Sequence, residues 1–175
     1  MNYQGHLLLS GIINGIFLFI VYKLFNVNFL NEKLILPLFV TFYIFSILPD
    51  VDHPKSRISS FVFIFVLYLF GSSVYAFYNS FNPINLLKMI LAVVIFIVHV
   101  GYAKDSYLHR RFPHTFTFGI ISCVILYFFV NSILVTVVGA ISFFTHILGD
   151  NHFGEALKKD KEIWKFFGFK IKKIL

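Results

Sequence analysis

Long and almost unbroken apolar stretches alternate along this chain with short polar segments. Six such stretches can be delimited, at residues 7–25, 34–49, 58–78, 84–103, 115–130 and 132–150. About 20 helical residues cross the hydrocarbon of a bilayer, so runs near this length are typical of transmembrane helices. The alternating segments of about 10 residues that a membrane barrel needs do not occur. The pattern therefore predicts an all-α, polytopic membrane bundle of about six transmembrane helices in residues 1–153.

Residues 154–175 form a different kind of segment, which is basic and amphipathic. Its apolar residues fall at helical spacing, with lysines mostly on the opposite face; they are Leu157, Ile163, Trp164, Phe167, Ile171 and Ile174. This pattern is typical of a helix that lies in the membrane interface. We expect it to act as an anchor with no catalytic part.

Composition agrees with a membrane location. Hydrophobic residues make up 58% of the chain and charged residues 13%, whereas a soluble domain is about one-quarter charged. The net charge of +7 does not indicate nucleic-acid binding, because seven of the fifteen basic residues follow Gly154 and no nucleic-acid motif accompanies them. Such a tail suits anionic lipid headgroups. The single cysteine excludes an internal disulfide, and the first apolar run is expected to be a retained helix.

Lysine and arginine positions predict the orientation of the bundle. With six spans, the N-terminus, the loops at 50–57 and 104–114 and the C-terminal tail share one side of the membrane. That side holds twelve basic residues, and the other holds three, at Lys23, Lys33 and Lys88. The positive-inside rule places the richer side in the cytoplasm. We therefore expect a multi-pass protein of the cell membrane with both termini cytoplasmic.

The chain's scarce metal-ligating side chains fall at the ends of the predicted spans that face the cytoplasm. They are His6, Asp50, Asp52, His53, His109, His114, His146 and Asp150. His146 and Asp150 are four residues apart and share one helix face, while Pro49 and Pro54 indicate a turn around the aspartates. Pro113 suits the opening of the next helix, which would place His114 in its first turn. Ionisable residues near a membrane are costly, so their convergence indicates function.

These ligands predict a particular chemistry. Imidazole mixed with carboxylate suits zinc, manganese or iron, and eight candidate ligands exceed the three or four that one catalytic zinc uses. One or two divalent ions, zinc or manganese, are therefore expected. Paired ions favour phosphoester hydrolysis by a metal-activated water, with Asp50 and Asp52 as candidate catalytic residues. Arg110 and Arg111 suit phosphate binding, although the positive-inside rule accounts for them equally well.

Four segments resemble the signature motifs of a known family. GHLLLS (5–10), LPDVDHPKS (48–56), HRRFPHT (109–115) and THILGD (145–150) are similar to those of the membrane-bound metal-dependent hydrolases, the YdjM-like group of LexA-regulated inner-membrane proteins. The resemblance implies a multi-span helical hydrolase whose ligands are the eight residues given above. Arg111, Pro113 and Thr115 stand where the family has glycine, threonine and serine.

The sequence predicts a membrane-bound, metal-dependent hydrolase that acts on a phosphoester of a small-molecule, lipid or lipid-linked substrate. Two alternatives stay open. A divalent-metal transporter would place its site near the bilayer midplane, where only His99 lies. A non-catalytic membrane protein could use the metal to stabilise its fold.

Overall fold

A computed structural model of the chain describes residues 3–26, 32–52, 57–104, 112–150 and 153–166. These ranges contain seven α-helices and one short 3₁₀ helix, and no strand. The helices are α1 (Tyr3–Phe25), α2 (Glu32–Ile47), the 3₁₀ helix (Leu48–Asp52), α3 (Arg57–Asn79), α4 (Pro83–Lys104), α5 (Phe116–Val130), α6 (Ile133–Gly149) and α7 (Phe153–Phe166). The all-α prediction is confirmed, and each predicted apolar stretch coincides closely with one helix.

Fewer helices qualify as membrane spans by length and composition than the six predicted. Gln4–Phe25 in α1 and Ser60–Asn79 in α3 are long and apolar enough to cross a bilayer. The pair α6 and α7 would make a third span if taken together, but the two helices are bent by 111°. The other apolar segments, Leu34–Asp50, Pro83–Ile97 within α4 and Phe116–Val130, are too short to qualify. The described part of the chain therefore supports two or three membrane-spanning helices.

Helix α6 forms the centre of the packed core. It packs against α1, α2 and α5, and its inward face is buried from Val135 to Ile147. Close approach to α5 requires Gly119, because a Cβ atom there would lie 2.4 Å from the Phe143 ring. The hydrophobic core therefore lies around α6, and α3 packs chiefly on α4.

The link between α5 and α6 is short, as the gap of one residue between the apolar stretches 115–130 and 132–150 predicts. Asn131 ends α5 in the left-handed conformation, with φ at 52°, and its N–H donates to the Tyr127 carbonyl. Asparagine tolerates this conformation better than most residues. Ser132 then caps the N-terminus of α6 by accepting a hydrogen bond from the Val135 N–H. Two residues thus reverse the chain and place the end of α6 beside the start of α5.

Candidate metal centre

His146 lies at the centre of the site, on the buried face of α6 near its C-terminal end. Its Nδ1 atom lies 2.7 Å from the backbone carbonyl oxygen of Ser46 on α2. Because a carbonyl oxygen only accepts, Nδ1 carries the proton and donates it to Ser46. Nε2 then presents its lone pair, and it has no hydrogen-bond partner in the described part of the chain. This is the tautomer that a metal-ligating histidine needs.

Two carboxylates face this nitrogen atom. Asp50 lies in the 3₁₀ helix that follows α2, and Asp150 is the C-cap residue of α6. Nε2 of His146 lies 3.6 Å from Asp50 Oδ1 and 3.3 Å from Asp150 Oδ2. A lone pair that faces anionic oxygens at this distance is repelled unless positive charge lies between them. The arrangement therefore suits a bound cation or a proton in this space.

His114 completes the site from the α5 side. It lies in the turn before α5, so its predicted place in the first helical turn is wrong. The reason is that Thr115 caps the helix, its hydroxyl accepting a hydrogen bond from the Phe118 N–H at 3.1 Å. Nε2 of the buried His114 lies 3.7 Å from Asp50 Oδ1. Its ring meets the His146 ring edge-on, with 5.8 Å between the centroids.

Asp50, His114, His146 and Asp150 form what we call the four-residue cluster. Each offers one ligand atom, and these atoms all lie within 4.8 Å of one another. Bonds of about 2.0–2.2 Å place the ligand atoms of a tetrahedral zinc site about 3.3–3.6 Å apart. Three of the pairwise separations, at 3.3, 3.6 and 3.7 Å, lie close to this spacing and exceed ordinary hydrogen bonds, at about 2.7–3.2 Å. Imidazole and carboxylate are groups that bind metal ions, so the four-residue cluster could hold one.

His6, at the start of α1, lies beside the four-residue cluster. Its ring stacks on the His146 ring, with 3.7 Å between centroids and an interplanar angle of 13°. Its Nε2 lies 2.9 Å from Asp150 Oδ1, although the angle of this contact does not suit a hydrogen bond. His6 therefore contacts the Asp150 oxygen that His146 does not face. This position suits a residue that orients Asp150, and the prediction that His6 is itself a ligand stays a prediction.

Asp50 is the more accessible of the two carboxylates, with a side chain 35% exposed against 13% for Asp150. Burial raises the pKa of Asp50, but positive charge on the imidazoles of His146 and His114, when they are protonated, outweighs burial and brings the pKa below its ordinary value. Positive charge in this space therefore keeps Asp50 ionised, as a ligand must be.

A layer of buried polar side chains lies directly behind the histidines. The Ser46 hydroxyl lies 2.8 Å from the Ser10 hydroxyl, and Asn14 Nδ2 donates to the hydroxyls of Ser10 and Ser142 at 3.2 and 2.9 Å. These four residues join α1, α2 and α6 beneath the site. These four residues are not among the site residues predicted from sequence, although the sequence carries a signal for them. His6, Ser10 and Asn14 recur at intervals of four residues, as do Ser142, His146 and Asp150, and this spacing marks a shared helix face.

The tail segment also reaches the site, through Asp160 on α7. Asp160 is 8% exposed, and its carboxylate accepts hydrogen bonds from the backbone N–H groups of Phe116 and Thr117, at 2.9 and 3.0 Å. These N–H groups lie in the first turn of α5, where an anion is stabilised by the helix dipole and by unsatisfied donors. Asp160 thus fixes the helix that begins two residues after His114. Sequence patterns do not predict this contact, because it joins segments far apart in the chain.

Four of the predicted site residues lie outside the residues that the structure describes: His53, His109, Arg110 and Arg111. Asp52 is described as the last residue of the 3₁₀ helix, without its side chain. The predicted turn at Asp50 is confirmed by that helix. The roles of these residues as ligands, or in phosphate binding, stay predictions.

Comparisons with known proteins identify no relative. No family model, no curated protein and no solved structure matches this chain.

Proposed function

We propose that the chain is a six-span membrane protein that binds a divalent metal at the cytoplasmic end of its bundle and hydrolyses a phosphoester of a lipid or lipid-linked substrate. One observation carries the proposal. The buried Nε2 lone pair of His146 faces two carboxylates at ligand-to-ligand distances, and His114 approaches Asp50 from the other side. The spacing and the donor types together support a metal site.

Membrane embedding is supported by the surface of the helices. Large apolar side chains are exposed all along the bundle, for example Phe19 at 61%, Phe39 at 65% and Tyr68 at 68%. So large an apolar surface is unstable in water. We propose that α2, α4, α5 and α6 also cross the bilayer, because thinning and tilting accommodate short spans at modest cost. The excess of basic residues near the cluster's end of the bundle supports a cytoplasmic location.

Each residue of the site has its own role in the proposed hydrolysis. A bound divalent cation supplies Lewis acidity and activates a water molecule at neutral pH. The Ser46 carbonyl holds His146 in one tautomer, and His6 holds Asp150 through its second oxygen. Asp50 is ionised and partly exposed, so it is the carboxylate best placed to accept a proton from the attacking water.

A structural metal is the second candidate function. The four-residue cluster joins the end of α2, the start of α5 and the end of α6, which are far apart in sequence. A metal bound there would stabilise the fold even without turnover. Chelation distinguishes the two functions. If the metal only stabilises the fold, chelation unfolds the protein and no hydrolysis is observed under any condition.

Hydrolysis by purified full-length protein tests the proposal. Phosphate release from phosphatidic acid and from a water-soluble aryl phosphate is measured with zinc, with manganese and after chelation. We expect metal-dependent release that His146→Ala and Asp50→Asn each reduce by about 100-fold or more, whereas Glu162→Gln, at an exposed carboxylate on α7, leaves it unchanged. Metal-loaded, folded protein that releases no phosphate would reject the proposed activity.

A further inference from the structure

An apolar cavity of about 450 Å³ lies between α2, α3, α4 and α5. Cavities that hold small ligands have volumes of about 300–1,000 Å³ and mostly apolar walls. Its walls are formed by aliphatic and aromatic side chains, with Ser122 the one hydroxyl among the described residues that line it. A cavity of this kind does not bind a phosphate or a sugar, but it suits a hydrocarbon chain.

One end of this cavity adjoins the four-residue cluster. Leu48 and Pro113 both line the cavity. Leu48 lies two residues before Asp50 in the same 3₁₀ helix, and Pro113 is bonded directly to His114. The 3₁₀ helix and the turn before α5 therefore each contribute one residue to the four-residue cluster and one to the cavity wall.

A second cavity of about 790 Å³ adjoins the first and lies towards the beginning of α2 and the end of α3, where it reaches Leu36. The two cavities share Ile44, Phe65, Leu69 and Phe129 as lining residues. The second cavity also has polar residues in its wall, among them Asn85 and Lys88. From Leu48 to Leu36 the helical rise amounts to about 18 Å. The first cavity is therefore the apolar slot that extends from the cluster into the proposed membrane-embedded part of the molecule, and the second lies beyond it.

We infer that this slot binds a hydrocarbon chain of the substrate, so that the phosphoester is held at the four-residue cluster while the chain lies between α2, α3, α4 and α5. This inference rests on the proposed function and narrows it to substrates that carry a long acyl or isoprenoid chain. The slot selects the substrate by burying its methylene groups, because the removal of apolar surface from water is favourable. Water-soluble phosphoesters lack that contribution and bind weakly.

Photolabelling of the full-length protein in nanodiscs tests the inference without requiring turnover. The probe is phosphatidic acid with a diazirine on one acyl chain, and labelled peptides are mapped by mass spectrometry. We expect labelling on the slot faces of α3 and α5. Val66→Phe fills the slot from α3, and Ser122→Phe fills it from α5. Each substitution should reduce the labelling about tenfold, which corresponds to the burial of about two fewer methylene groups. Val74→Phe and Val124→Phe are the matched controls, because both positions are exposed, at 39% and 63%, on the same two helices.

The outcomes separate this inference from the proposed function. The inference would be overturned by labelling that is spread evenly over the exposed helix faces and is unchanged by Val66→Phe and Ser122→Phe in folded protein. In that case the probe contacts the protein only as part of the surrounding bilayer. Where hydrolysis is observed, Val66→Phe should impair long-chain phosphatidic acid and spare a water-soluble aryl phosphate, and equal effects on both would also overturn it. Specific labelling without any hydrolysis would support the slot and reject the hydrolase.

Discussion

At the scale of single residues, the site depends on which nitrogen of each histidine carries the proton. His146 donates Nδ1–H to the Ser46 carbonyl, so its Nε2 lone pair faces the space between the carboxylates. Within the described residues, neither ring nitrogen of His6 has a hydrogen-bond partner, and its ring stacks on His146 beside Asp150 Oδ1. The two histidines are therefore neighbours with different tasks. We propose that one binds the ion and that the other positions a carboxylate that binds it.

Replacing each histidine separately should separate these tasks. His146→Ala should abolish metal binding, whereas His6→Ala should weaken it by about 10–100-fold, the usual cost of losing a residue that orients a ligand. Metal affinity is measured by competition with a fluorescent chelator. Loss of binding in His6→Ala as complete as in His146→Ala would show instead that His6 is a direct ligand, as the sequence alone predicts.

At the scale of helices, two contacts outside the four-residue cluster support the geometry of the site. Asp160 on α7 caps the N-terminus of α5, and the closeness of α5 to α6 depends on Gly119. Both contacts hold the start of α5, and with it His114, against the end of α6. Substitution of Asp160 and of Gly119 tests these two contacts separately.

Removal of the Asp160 carboxylate should destabilise the protein. Asp160→Ala leaves two N–H groups of α5 without their acceptor, at a cost of about 1–3 kcal/mol in the free energy of unfolding. Asp160→Asn keeps one acceptor oxygen and should cost less. Denaturant unfolding in detergent provides the measurement, with the exposed Glu162→Gln on the same helix as the control. If Asp160→Ala and Glu162→Gln were equally stable, the cap would have no energetic importance.

Substitution of glycine tests the packing of α5 on α6. In Gly119→Ala, the new methyl group would lie 2.4 Å from the buried Phe143 ring, so the helices must separate at a cost of about 1–3 kcal/mol. Gly71→Ala on α3 meets nothing within 4 Å and should stabilise the helix by up to about 1 kcal/mol. Thermal unfolding compares the two variants. A Gly119→Ala variant as stable as Gly71→Ala would contradict the close helix contact.

The helices were more predictable from sequence than the contacts between them. Apolar run length alone located the six helices and the tight Asn131–Ser132 link, because both are local properties of the chain. The polar residues at helix ends also indicated that His6, Asp50, His114, His146 and Asp150 meet. Sequence did not predict that His6 would stack outside the four-residue cluster, or that Asp160 would cap α5. Such contacts depend on the rotation of one helix against another, which composition and periodicity leave undetermined.

At the scale of the whole molecule, the proposed topology places every ligand at one end of the bundle. The ends of α1, α2, α5 and α6 that meet at the cluster must then lie on one side of the membrane. Reporter fusions in cells test this arrangement. A fluorescent protein fused after residue 175 should be fluorescent in the cytoplasm, and a periplasmic phosphatase fused after Asn131 should be active outside it. The reverse pattern would contradict the charge-based orientation.

The most direct test of the central claim is the metal content of the purified protein. Elemental analysis of the full-length protein should find one to two equivalents of zinc or manganese. The Asp50→Ala/His146→Ala double variant should contain almost none, while circular dichroism shows that its helices persist. Equal metal content in the two folded proteins, or none in either after exposure to both ions, would contradict a metal site at the four-residue cluster.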